Sequence, residues 1–150
     1  MNYWLTTHWP PLKGTDRFYD TGAWVRDGKE EVLSEMRPGD MLFIYQTKSG
    51  KDNVYKTQDG DEKVPRIKGQ GGVIALAKIT TKRKDLGISG KQFYTDGSDM
   101  WWRYKADARV INSNGFIERR SLAKILGYKE GNTFRSFGKR SAMVDLAMAL

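Results

Sequence analysis

The chain has 150 residues, with 26 Lys and Arg against 18 Asp and Glu, one histidine, no cysteine and a formal charge of +8. This length suits a single domain that buries a core without cross-links. The missing cysteines exclude disulfides, thiol catalysis and thiolate metal sites, and fit a reducing cytoplasm. The first residues read as a strand rather than a signal peptide, and no run approaches the roughly 18 apolar residues of a membrane span. The positive charge is uneven: residues 1–40 hold five basic and seven acidic side chains, the other 110 hold 21 and 11. Such asymmetry fits a polyanion on one face, while a solubilising surface would show the same count.

In chain order, residues Asn2–Thr7 alternate and are rich in aromatic and β-branched types, which predicts a first strand stopped by Pro10-Pro11. Lys13–Thr21 reads as loop, and Glu30–Met36 as a short helix with Val32, Leu33 and Met36 on one side. Arg37-Pro38-Gly39-Asp40 is a tight turn into Met41–Gln46, an apolar strand suited to burial on both faces. Thr47–Gly72, mostly Lys, Asp, Gly and Gln, is expected to be a long functional loop.

Val73–Thr80 is apolar on both faces and predicts a central strand. Lys82–Asp99 is a second polar excursion with room for a small hairpin, and Trp101–Val110 is a further strand. Asn112–Gly115 is a turn, Ser121–Leu126 a short helix closed by Gly127, and Ser141–Leu150 a helix with Ser141 as N-cap. No repeat or interdomain linker is visible. Short strands mixed with short helices, without βαβ spacing, predict an α+β domain: a small mixed β-barrel with helices packed at its ends.

Five tryptophans in so small a basic chain exceed what one core easily hides. Flat aromatic faces beside cations are what a protein needs to hold a nucleobase while gripping its phosphates. Trp4, mid-strand, reads as core. If the strand has begun at Trp101, alternation sends Trp101 and Trp102 to opposite faces, one to the core and one to the site, with Trp102 the favoured of the two. Tyr45 shares a face with Phe43, so it serves either the core or the site.

His8, Trp9 and Gln46 complete the base-contact candidates. His8 has no clustered Cys, Asp or Glu to form a metal site and no nucleophile to activate, so neither a metal nor a cofactor is expected. Asp96 and Asp99 are ordinary loop acids, and no catalytic motif emerges. Phosphate contacts are expected from Lys48 and Lys51, Lys82-Arg83-Lys84, Arg119-Arg120 and Lys139-Arg140, or from part of that set.

The order of these pieces resembles the EVE domain, one of the PUA-like β-barrels that include the base-reading YTH and ASCH domains. The residues that carry it are Asn2-Tyr3-Trp4-Leu5, Gly22-Ala23-Trp24-Val25-Arg26, Met36 through Tyr45, Gly72 through Ala77, Arg135-Ser136-Phe137 and Arg140-Ser141-Ala142-Met143. Thr7-His8-Trp9-Pro10-Pro11 and Asn112-Ser113-Asn114-Gly115-Phe116 look like the branch fused to HNH nucleases in modification-dependent restriction enzymes. Asp27-Gly28-Lys29-Glu30-Glu31 departs from the Asn- and Gln-rich segment usual there.

The resemblance implies a pocket at one barrel mouth for a base turned out of the duplex, with Trp24 as the pocket tryptophan, and Tyr45 and one of Trp101 and Trp102 completing an aromatic cage. It implies a partner too: double-stranded DNA carrying 5-methyl- or 5-hydroxymethylcytosine. The chain carries no nuclease motif and stops at Leu150 in mid-helix pattern, which predicts a domain excised from a longer protein, and the resemblance implies a nuclease fused or bound outside it. The rival readings are a reader of modified RNA, a stand-alone nuclease or RNA-modifying enzyme, and a protein-interaction domain.

Overall fold

The computed structural model describes residues 2–16, 18, 21–26, 33–50, 53–86, 91–93 and 99–126. The protein is mostly β, a nearly closed barrel-like sheet with one short helix among the described residues. The expected Gly127 cap and the Ser141–Leu150 helix lie outside those residues, as does the start of Glu30–Met36. Of that last segment, Leu33 and Met36 are described and both are buried.

The strands expected at Asn2–Thr7, Met41–Gln46 and Val73–Thr80 pair side by side at one end of the sheet. Strand β1 (Tyr3–His8) lies parallel to β3 (Met41–Gln46), and β3 is antiparallel to β6 (Gly72–Ile79). Strand β2 (Gly22–Arg26) was not expected from the pattern. It pairs with β9 (Asp99–Asn112), whose far end pairs with β6, giving the path β1-β3-β6-β9-β2. A side-chain hydrogen bond, His8 Nε2–H to the Gly22 carbonyl at 2.9 Å, ties the two ends of that path together.

Both faces of the central strands are buried, which explains their continuous apolar pattern. One face supplies Trp4, Leu42, Ile44, Ala75, Ala77 and Ile79 to a core shared with Ala23, Val25 and Ala106. The other supplies Leu5, Phe43, Tyr45, Val73 and Leu76 to a second core. That one is roofed by β10 (Ile117–Glu118), which pairs with β6, and by α1 (Arg119–Leu126). Eight residues are too few for a helix to hold itself. Burial of Leu122 and Ala123 in the second core pins α1, Leu122 alone contributing on the order of 2 kcal/mol.

The turn before β3 is held by one carboxylate. Asp40 accepts from the Asn2 N–H at 3.0 Å, the buried Trp4 Nε1–H at 2.9 Å and the Arg37 N–H at 3.1 Å. Burial opposes its ionised form, but the three donors together outweigh that cost, so its carboxyl sits below the ordinary range.

The segment expected to be one long loop contains a hairpin, β4 (Asn53–Thr57) with β5 (Gly60–Val64), turned at Gln58-Asp59. An Asp-Gly step is a strong hairpin signal, here flanked by Thr57-Gln58 and Asp61-Glu62. After it the chain is tied back to the N-terminal loop: Lys13 N–H donates to the Pro65 carbonyl at 2.8 Å and Ile67 N–H to the Pro11 carbonyl at 3.0 Å. In the second excursion, β7 (Lys84–Asp85) and β8 (Lys91–Phe93) both pair with β9 rather than with each other. No helix among the described residues is long and apolar enough to cross a membrane.

Candidate functional site

Two cavities of about 560 and 340 Å³ lie side by side and share Lys48 and Ser49. The larger falls within the size range of small-ligand sites. Its walls come from four places: Thr7 on β1, Tyr45 at the end of β3 with the Thr47–Ser49 turn, Gln70-Gly71 before β6, and Phe116 with Glu118–Arg120 at the start of α1. The smaller is walled by Lys48–Gly50 and Arg66–Lys68. Across both, the described walls carry five cations (Lys48, Arg66, Lys68, Arg119, Arg120) and one carboxylate, Glu118.

Local geometry fixes these walls. The buried Gln46 carboxamide accepts the Gln70 N–H at 3.0 Å, and Gly69 N–H donates to the Lys48 carbonyl at 2.8 Å. A Cβ on Gly69 would collide with the Thr47 carbonyl, so only glycine lets the two limbs approach. Arg66 donates to the Pro10 carbonyl at 2.8 Å, and its guanidinium lies 4.9 Å from the Trp9 ring centroid. Trp9 also packs against Gly50. Trp9 thus lies against Arg66 and Gly50, two walls of the smaller cavity.

The start of α1 adds to the positive field. A helix N-terminus is already partly positive and favours acids. Here the first turn holds no acid, and its first two residues are Arg119 and Arg120.

Of the expected base contacts, Tyr45 and Gln46 are at the groove, Tyr45 in its wall and Gln46 behind it. Trp24 is not among the cavity's described walls. It sits across the strand pair from Lys105, whose Nζ is 4.6 Å from its ring centroid. Lys105 is only 5% exposed and also meets Asp107 at 3.0 Å. Asp107 in turn takes Lys84, and the hydrogen bonds from these two lysines, Lys84 foremost, hold its carboxyl below the ordinary range.

His8 is beside this group. Burial, with only partial relief from the Gly22 carbonyl and a further push from Lys105, lowers its pKa and keeps the ring neutral. Trp101 and Trp102 pair through their backbones with Lys91 and Arg26, while their side chains lie outside those the structure describes.

Of the expected phosphate contacts, Lys48, Arg119 and Arg120 meet in the groove. Lys82, Arg83 and Lys84 lie elsewhere, along β9: Lys84 on Asp107, and Arg83 with its guanidinium 5.6 Å from the Tyr104 ring centroid. Lys51, Lys139 and Arg140 lie outside the described residues. The sequence reading missed Arg66, Lys68 and Phe116. No cluster of histidines, acids or cysteines able to hold a metal occurs among the described residues. Compared with known proteins, the chain matches no family model and no curated protein.

Proposed function

We propose that the protein is a non-catalytic nucleic-acid-binding module on a PUA-like, EVE-type barrel. It reads a modified cytosine in duplex DNA by turning the base out, and so targets a nuclease carried elsewhere. The observation that carries this reading is the groove: two adjoining cavities whose described walls set five cations against one carboxylate, one cavity being large enough for a base. Cations along a strand neutralise phosphates, and an extruded base needs a concave seat that offsets the few kcal/mol of its unstacking.

The test is a binding series on duplexes that differ only in one cytosine, its 5-methyl form and its 5-hydroxymethyl form, with a modified RNA strand as competitor. Tighter binding to a modified duplex, weakening linearly with log salt, is the expected result. Binding that ignores salt would sink the nucleic-acid reading, and RNA outcompeting every duplex would move it to a modified-RNA reader.

A further inference from the structure

We propose that Phe116 supplies the stacking face for the nucleobase in this groove, an assignment that rests on the nucleic-acid reading above. Phe116 is 47% exposed, so its ring is open to a ligand. It lines the larger cavity together with Lys48, Arg119 and Arg120, so an apolar face and cations converge on one volume. That is the pairing a base and its phosphates require.

Local geometry aims this ring outward. Asn112 Oδ1 accepts the Asn114 N–H at 3.0 Å and shapes the turn that delivers Phe116. Ile117 pairs with Val73 and is buried, and strand alternation then turns its neighbour Phe116 away from that core. The ring rests over Gly72, where a Cβ would fall 2.6 Å from two ring atoms and would also strike the Ile117 carbonyl. Seated on backbone, the ring gives up little freedom when a ligand stacks on it.

The three tryptophans whose side chains are described are otherwise engaged. Trp4 is buried and bonded to Asp40, Trp9 meets Arg66 and Gly50, and Trp24 faces the Lys105 ammonium. Because Lys48 belongs to both cavities, a strand with its base on Phe116 places one phosphate at Lys48 and the next near Arg66 and Lys68. The ligand is therefore a strand of at least two nucleotides with one base unpaired.

The experiment compares two duplexes, one with a single 5-methylcytosine and one with an abasic site at that position. Each is titrated with the full chain and with Phe116→Ala and Phe116→Tyr. Phe116→Ala should weaken binding to the methylcytosine duplex by about tenfold or more and leave the abasic duplex unchanged, and Phe116→Tyr should restore the affinity. An equal decrease on both duplexes, or none, in a variant with the wild-type thermal melt overturns the assignment while the groove reading stands. Failure of the wild-type chain to bind either duplex overturns both.

Discussion

On the β2–β9 surface, Lys84 and Lys105 converge on Asp107, Arg103 reaches Asp85 at 3.0 Å, and Arg83 and Arg103 lie near the Tyr104 ring. Around the groove, five cations share the described walls with a single carboxylate. Both regions look alike in the sequence, as basic clusters beside aromatic residues. In the first, carboxylates lie directly against the cations and the charge holds the sheet together. In the second, cations outnumber acids along the described walls. A basic cluster is evidence for a polyanion only after its local acids are known.

The contrast breaks most visibly at Asp107, which is 27% exposed at its side chain while that of Lys105 is 6%. Asp107→Ala leaves a buried ammonium facing the Trp24 ring without its carboxylate, and should cost about 3 kcal/mol in urea unfolding. Nucleic-acid affinity of the folded fraction should stay as it was. Trp24→Ala should follow, at about 2 kcal/mol for a half-buried indole, with the ratio of modified to unmodified affinity intact. Collapse of that ratio would return Trp24 to the base, as the family resemblance implies.

The groove side gives the next effect. Lys48→Ala combined with Arg119→Ala should weaken all duplexes by about tenfold and flatten the salt slope by about 0.9 for each phosphate no longer neutralised. Lys82→Ala combined with Arg83→Ala should do neither. If the two pairs behave alike, the division between structural and ligand-facing cations is wrong.

The smallest effect is at His8. Its pKa is lowered in the folded state, so the unfolded chain takes up the proton first as pH falls. Stability should be level above about pH 6.5 and decline below it, down to the folded pKa. His8→Gln, whose amide N–H can still reach the Gly22 carbonyl, should flatten that decline in melts run from about pH 7 to 5. An unchanged pH profile would mean the imidazole titrates as it does in water.

Strands β3 and β6 were legible because burial on both faces writes a continuous apolar run, and β1 because it is rich in aromatic and β-branched residues. Strand β2 is only five residues and follows a loop, and the β4–β5 hairpin is mostly polar, so neither shows in hydrophobic pattern. The hairpin's signal was the Asp59-Gly60 step. In the site, Lys48 and Arg119-Arg120 were legible because they flank recognisable elements. Arg66, Lys68 and Phe116 were not, because turns far apart in sequence bring them together. The Asn112–Gly115 turn was legible in its residue types, but the packing of Phe116 over Gly72 is geometry that no periodicity records.

The Asp40 carboxylate fixes more than a turn. Its bond to the Asn2 N–H anchors the start of β1 at the pole where β3 begins, while the groove gathers at the pole where both strands end. Six residues at roughly 3.2–3.4 Å each separate the two poles by about 20 Å. A tether entering at Asn2, to a sensor surface or a fluorescent reporter, therefore arrives on the far side of the barrel and leaves the cationic mouth facing solution.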